Sequence, residues 1–196
     1  MRESLLSELK ERLFVHYAQG GWRAPLTDSV MAVCSADGRP LGTAVRAQSL
    51  DIDRALHGLV PGAFAPTALP AFLTDLRRIE GFDDALAPLP AIDLPPGAGP
   101  LVMLSAADTP LAQLAGVLAA GASRGLVWKP ASGAAVSAHA LIAALAPGRG
   151  VALLHGDHAT GAALAGRGAL IWASGAPVPE GLTAALSLGA RAPRHR

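Results

Sequence analysis

Apolar residues repeat at helical spacing at the start of the chain. The repeat predicts an amphipathic helix over residues 1–14, with a stripe formed by Leu5, Leu6, Leu9, Leu13 and Phe14. Such a stripe must be covered. It packs either on the chain's own sheet or on a partner protein, and the sequence leaves both open.

Residues 15–60 show a different pattern, in which apolar and polar positions alternate. The alternation through Val30 and Cys34, and then through Leu41 and Val45, flanks an Asp-Gly turn and predicts paired edge strands. Ser49 is expected to cap a following helix that runs to about residue 59. Because Cys34 falls within a strand and no recognisable base stands beside it, we expect a small core residue there rather than a nucleophile.

A proline-rich connector over residues 61–99, broken by one helix at about 69–79, leads to a region of alternating strands and helices. We expect strands at 101–105, 125–129, 151–155 and 169–173, with helices at 111–120, 136–145, 160–165 and 180–188. This order predicts an α/β core over residues 100–190 with a parallel, Rossmann-like doubly wound sheet. Residues 191–196 form a basic tail, which we expect to be solvated.

Composition narrows the function classes. The net charge of +1 is spread along the chain, so neither nucleic acid nor an anionic membrane is an expected partner. No run approaches the roughly 20 apolar residues of a membrane span, and the charged N-terminus does not resemble a signal peptide. A cytoplasmic location is therefore expected.

Two motifs of the core, and the turns of the preceding edge strands, resemble those of the aldehyde dehydrogenase superfamily. Residues 127–131, Val-Trp-Lys-Pro-Ala, are similar to its "V-x-K-P-A/S" turn, and Gly156 and Gly161 are similar to its "G-x-x-x-x-G" loop. The Gly-Trp and Asp-Gly turns of residues 21–38 also resemble the family's N-terminal edge. The resemblance implies that Lys129 reaches the adenosine ribose of a dinucleotide. The implied cofactor-binding set is Lys129, Trp128, Pro130, Gly156, Gly161 and Gly175. The alternative is that Lys129 is an exposed lysine at a strand end.

Other positions depart from the family pattern. Asp108 stands where the family has an asparagine whose amide stabilises an oxyanion, and a carboxylate would repel that charge. Ser174 and Pro179 stand where glycines approach the pyrophosphate. The "E-L-G-G" base motif is absent from the 196 residues, which also leave no room for the family's thiol-bearing catalytic domain.

The resemblance, together with these departures, implies a non-catalytic member of the superfamily. Similar non-catalytic domains occur in long proline-catabolic enzymes and in two-copy aldehyde dehydrogenases. We expect an assembly or regulatory subunit that binds a protein partner, such as an active aldehyde dehydrogenase. The alternative is an NAD(P)-binding module that contributes to an NAD(P)-dependent aldehyde oxidoreductase. No cofactor is expected to be required, and any binding of NAD or NADP should be weak.

His155 and His158 lack a third ligand nearby in sequence, so no metal site is expected.

Overall fold

The computed structural model describes residues 12–66 and 68–189. Ten strands are present in this part of the chain: β1 (Leu13–Phe14), β2 (His16–Ala18), β3 (Gly21–Arg23), β4 (Val30–Cys34), β5 (Pro40–Val45), β6 (Leu101–Ser105), β7 (Leu126–Pro130), β8 (Val151–Leu153), β9 (Ala169–Ala173) and β10 (Leu186–Leu188). The α-helices of the same residues are α1 (Ser49–His57), α2 (Phe72–Glu80), α3 (Leu111–Gly121), α4 (Ala135–Leu145) and α5 (His158–Ala165). Short 3-10 turns, Ser132–Ala134 and Gly148–Gly150, precede α4 and β8.

Seven strands form one sheet in the order β10-β9-β6-β7-β8-β2-β3. The strands β10 to β8 are parallel, whereas β2 and β3 continue the sheet in antiparallel orientation. Both β6 and β7 are buried along their whole length, as expected for central strands covered on two faces. This confirms the predicted Rossmann-like α/β fold.

Helices cover both faces of the sheet, so it is doubly wound. On one face, α3 and α4 pack through Leu114, Leu118 and Leu141 against the strands. On the other face, α1 and α5 contribute Ile52 and Leu164 to a second core. The crossover direction changes between β6 and β9, where the chain order of neighbouring strands reverses.

A second sheet of three strands, β1-β5-β4, lies beside α2 and the start of α4. The prediction of a helix over 1–14 is wrong at its end, since Leu13 and Phe14 form a strand that pairs in parallel with β5. Phe14 is buried in a core with Val33 and Leu41, and this packing prevails over the helical spacing of the stripe. Residues 1–11, with Leu5, Leu6 and Leu9, lie outside the described residues.

The prediction of a helix at 180–188 is also wrong. Here the chain is irregular after β9 and then forms β10, whose Leu186 and Leu188 pair with Ile171 and Ala173. Gly181 adopts a positive φ of 83°, which interrupts a helix. Pairing with the apolar β9 edge therefore overrides the alanine-rich helical propensity of this segment. The other predicted helices are present, although α1 begins at Ser49 with Gln48 at the capping position.

In the described ranges, no helix is both long and apolar enough to cross a membrane.

Candidate functional site: a cleft above Lys129

A cleft of about 480 Å³ opens at the carboxyl ends of β6, β7 and β9. Lys129, Leu104 and Trp172 form its floor, because Leu104 is paired with Lys129 on one side and with Trp172 on the other. The walls are α5, through His158, Gly161 and Ala162, and the segment after β9, through Ala176, Pro179, Glu180 and Leu182. Ligands of doubly wound folds bind at this edge of the sheet, where the strand order reverses.

Lys129 is the main cationic group of the cleft. Only 9% of the residue is exposed, so the alternative of an exposed strand-end lysine is wrong. Within residues 12–66 and 68–189, its ammonium group forms neither a hydrogen bond nor an ion pair. Burial lowers the pKa of Lys129 from its usual value, and the more distant carboxylate of Asp157 offsets part of this effect. The amine end of Lys129 therefore faces the cleft, where a ligand could supply a hydrogen-bond acceptor.

Gly161 of α5 lies near Lys129. A methyl group added at Gly161 would lie 3.8 Å from Leu104 and 4.0 Å from Cδ of Lys129, which is ordinary van der Waals contact. Gly161 lines the cleft together with Lys129.

The other predicted cofactor-binding residues do not line the cleft. Trp128 is fully buried on the opposite face of the sheet, where its Nε1 donates to Oγ of Ser105 at 2.9 Å. Strand alternation causes this, since neighbouring residues of β7 point to opposite faces. Pro130 is buried at the end of β7. Gly156 is buried against Thr160, and Gly175 is exposed between Ser174 and Ala176, which do line the cleft.

A phosphate cradle after β9 is missing from the described part of the chain. In the fold's usual arrangement, a helix that follows a strand offers free amides to a phosphate. Here β9 leads into an irregular segment with Pro177 and Pro179, and no helix begins before β10. The described segment after β9 therefore offers no helix N-terminus to a pyrophosphate.

The N-terminus of α5 is capped by the protein itself. Asp157 accepts a hydrogen bond from the backbone amide of Thr160 at 3.1 Å, and its carboxylate lies 3.4 Å from Nε of Arg46. The Thr160 amide and Arg46 together lower the pKa of Asp157. A carboxylate at this position occupies the place that an anionic ligand would need.

The turn after β6 carries Asp108, the residue that replaces the family's asparagine. Arg77 donates hydrogen bonds to the carbonyl oxygens of Ala107 at 2.7 Å and Thr109 at 3.3 Å. The hydroxyl of Thr109 donates to the carbonyl oxygen of Ala173 at 2.7 Å. The turn is therefore tied to both α2 and β9, and Asp108 does not line the cleft.

Cys34, the sole cysteine of the sequence, lies in β4 of the three-stranded sheet. It is half-buried and does not line the cleft. The expectation that it occupies a strand is confirmed, whereas the expectation of a core residue is wrong, because Cys34 is only half-buried.

His16 of β2 and His155 after β8 form a buried pair, and the half-buried His139 lies near them, because the Phe14 ring contacts both His139 and His155. The His16 and His155 rings lie 6.3 Å apart, and the backbone amide of His155 donates to Nδ1 of His16 at 3.2 Å. Burial lowers the pKa of His16 to about 4 and that of His139 also to about 4, so these rings are neutral at pH 7. Among the residues described, no group of histidine, cysteine or acidic side chains could hold a metal ion.

Sequence reasoning missed the two apolar floor residues, Leu104 and Trp172. The alternation of side chains along each strand could have found them. When β6, β7 and β9 are aligned side by side, Leu104 and Trp172 lie in register with Lys129 and therefore on the same face of the sheet. It also missed Asp157, whose position three residues before Thr160 is typical of a helix N-cap.

The structure is similar to those of several aldehyde dehydrogenases. A Delta-pyrroline-5-carboxylate dehydrogenase from Mycobacterium tuberculosis gives a TM-score of 0.61 at 18% sequence identity, with 87% of this chain and 44% of that chain covered. A 1-pyrroline-5-carboxylate dehydrogenase from Thermus with bound NAD gives 0.56 at 18% identity, with 87% and 45% covered. A betaine aldehyde dehydrogenase from Staphylococcus aureus in complex with NAD+ gives 0.57 at 13% identity, with 86% and 46% covered.

These likenesses define the fold. The chain has the α/β fold of the nucleotide-binding portion of aldehyde dehydrogenases, and the predicted resemblance to that superfamily is confirmed at the level of structure. It spans less than half the length of the proteins it resembles. No family model and no curated protein sequence matches it.

Proposed function

We propose that this chain is an aldehyde-dehydrogenase-like module that binds the adenosine half of NAD, NADP or a mononucleotide weakly, and that it does not itself oxidise aldehydes. The observation that carries the proposal is Lys129, a residue only 9% exposed, which lines the cleft and whose ammonium has no hydrogen-bond or ion-pair partner among the described residues. Ribose hydroxyls or a phosphate oxygen would supply the acceptor that this group lacks.

The shape of the cleft supports an adenosine-sized ligand. Its floor and one wall present Leu104, Trp172 and Leu182, which suit the flat apolar face of a purine ring. Two of the similar structures carry NAD, and Lys129 lies at the carboxyl edge of the sheet, where ligands of this fold bind.

Weak binding is expected because the phosphates would lack a cradle. Pro179 has no amide hydrogen to donate, and Asp157 occupies the nearest helix N-terminus. We therefore expect dissociation constants above about 1 mM for NAD and NADP, equivalent to less than roughly 4 kcal/mol of binding free energy. AMP should bind about as well as NAD, since the nicotinamide half would add no contact.

Absence of catalysis is proposed from two placements. Cys34 does not line the cleft, and Asp108 puts a carboxylate where the family has an oxyanion-stabilising amide. We expect no NAD reduction with simple aldehydes. Steady NAD reduction with any simple aldehyde, whether or not it survives Cys34→Ser, would contradict this part of the proposal.

Titration calorimetry with AMP, NAD and NADP tests the binding. Lys129→Ala should weaken the binding of all three about tenfold, the loss of one charge-assisted hydrogen bond. The matched control is Lys10→Ala, which removes the only other lysine of the sequence and should leave binding unchanged. Equal effects of the two substitutions, or no heat with any nucleotide at 10 mM or so, would count against the proposal.

A second candidate function is assembly with another protein, such as a complete aldehyde dehydrogenase. The observation that favours it is the outer face of the three-stranded sheet, where Leu13 is 47% exposed and Val30 is 50% exposed. Strand pairing places both residues on the same face as Thr43 and Ala32. An apolar face of this kind is typical of an interaction surface.

The assembly candidate predicts that Leu13→Ser and Val30→Ser together abolish a complex with the partner while the melting temperature changes little. The control is Val33→Ser on the buried face of the same sheet, which should lower the melting temperature strongly. A purified chain that shows no association with an aldehyde dehydrogenase by light scattering would remove this candidate.

A further inference from the structure

The environment of Lys129 differs from that of an ordinary binding lysine. A lysine in a polar site is normally paired with a carboxylate, and a surface lysine is solvated. Lys129 is nine-tenths buried instead, and the groups beside it on the floor are Leu104 and Trp172. Its aliphatic chain runs near Gly161, where an added methyl group would come within 4.0 Å of Cδ of Lys129. The amine end is thus held in an apolar cleft that remains open to small molecules.

Such an environment shifts the protonation equilibrium of the amine towards its neutral form, compared with a solvated lysine. The charged form loses hydration on burial, and this lowers the pKa of Lys129. The titratable groups around the cleft are Asp157, whose carboxylate favours the charged form, together with His155, His158 and Glu180. No ion pair within the described ranges ties the amine down. A desolvated lysine in an apolar pocket is a recognised way to make an amine nucleophilic near neutral pH.

We propose that Lys129 captures small apolar aldehydes by forming a reversible imine in this cleft. The nitrogen lone pair attacks the carbonyl carbon and forms a C–N bond as the C=O π bond breaks, and one proton passes from nitrogen to oxygen, which gives a carbinolamine. The C–O bond then breaks, and the oxygen leaves as water with the two protons that the amine nitrogen gives up. No oxidant or reductant is consumed, and hydrolysis returns the free lysine and the aldehyde.

The volume of the cleft fits this class of ligand. About 480 Å³ lies within the range of small-molecule sites, and an aromatic aldehyde could place its ring over Trp172 with its carbonyl carbon at Lys129. The inference goes beyond the proposed nucleotide binding. Both ligands would use the same cleft, so they should exclude each other.

Reductive trapping tests the proposal on the full chain. Benzaldehyde is added at pH 7 with sodium cyanoborohydride, which reduces an imine to a stable benzylamine, and peptide mapping by mass spectrometry measures the modified fraction of each lysine. The sequence has two lysines, Lys10 and Lys129, so Lys10 serves as an internal reference. We expect Lys129 to be modified several-fold faster than Lys10, with its half-maximal rate at a lower pH.

The controls separate capture from general reactivity. Lys129→Arg, which keeps the charge and is checked for folding by circular dichroism, should remove the fast modification and leave that of Lys10 unchanged. Denaturation in guanidinium should make the two lysines of the unaltered chain react at similar rates. A folded protein in which Lys10 reacts as fast as Lys129, or faster, would overturn the proposal.

A nucleotide arm distinguishes this inference from the proposed function. Protection of Lys129 by AMP is expected if both ligands share the cleft. Fast modification without AMP binding would leave aldehyde capture standing and remove nucleotide binding. Nucleotide binding that depends on Lys129, with no preferential modification of Lys129, would leave nucleotide binding standing and overturn aldehyde capture.

Discussion

Arg77 holds the turn that carries Asp108, and its removal should be costly. The guanidinium is fully buried, with Nη1 3.2 Å from Oε2 of Glu80 and Nε 3.4 Å from Oδ2 of Asp84. It also donates to the carbonyl oxygens of Ala107 and Thr109. One side chain therefore neutralises two buried carboxylates and fixes the turn between β6 and α3.

The substitution Arg77→Met keeps the apolar stem and removes the charge. Glu80 and Asp84 would then be buried without a cation, a loss that costs about 3–5 kcal/mol when one partner of a buried pair is removed. For a chain of this size each kcal/mol lowers the melting temperature by about 2–4 °C, so the expected drop is roughly 6–20 °C.

Thermal and urea unfolding followed by circular dichroism measure this loss. The matched control is Arg78→Met on the same helix, since Arg78 forms a solvent-exposed pair with Asp75 and should change the free energy of unfolding by less than about 1 kcal/mol. Burial raises the pKa of Glu80 and Arg77 lowers it, so Glu80→Gln should recover part of the loss in the Arg77→Met background. A loss no larger than that of the control would refute the reasoning.

Three further predictions concern packing and pH. Ser105→Ala leaves Nε1 of the buried Trp128 without its acceptor and should cost about 1–3 kcal/mol by urea unfolding. Gly156→Ala should destabilise the protein because its methyl group would meet Thr160, whereas Gly161→Ala should be nearly neutral by the same assay. The pKa of His16 is about 4 in the folded protein against 6.5 in a free side chain, so its contribution to stability is present above pH 6.5 and is lost as the pH falls towards 4. Between pH 7 and pH 4 the melting temperature should therefore fall less steeply with pH in His16→Asn than in the unaltered protein. Equal dependences on pH would contradict the assignment.

The alternation of strands and helices in residues 100–173 was predictable, because short, strongly apolar runs separated by segments of helical periodicity are typical of a parallel α/β sheet. The strands at 101–105 and 169–173 were predicted with their observed bounds. The segment after Ala173 was not predictable from local propensity, since its alanine-rich sequence favours a helix while the open edge of β9 favours a strand. The long-range pairing of Leu186 and Leu188 decides between them.

The site was predictable in part for a related reason. A sequence motif consists of residues that are neighbours along the chain, and for this reason Trp128 and Lys129 were both predicted to belong to the site. The pleat of β7 places these two side chains on opposite faces of the sheet. The pairing of β6 with β7 and β9 then brings Lys129 onto the same face as Leu104 and Trp172. The buried cluster of Arg77, Glu80 and Asp84 was likewise not predictable, because only the fold brings it together with the turn after β6 and no sequence motif marks it.

The most direct test of the nucleotide-binding proposal is a titration with AMP followed by amide and indole NMR signals. The sequence has three tryptophans, and each one reports on a different place: Trp172 on the cleft floor, Trp128 on the opposite face of the sheet, and Trp22 on the stack with His139. The account predicts saturable shifts of the Trp172 indole and the Gly161 amide, with those of Trp128 and Trp22 unmoved, and loss of the shifts in Lys129→Ala. Shifts that spare Trp172 and Gly161 at saturating AMP would contradict it.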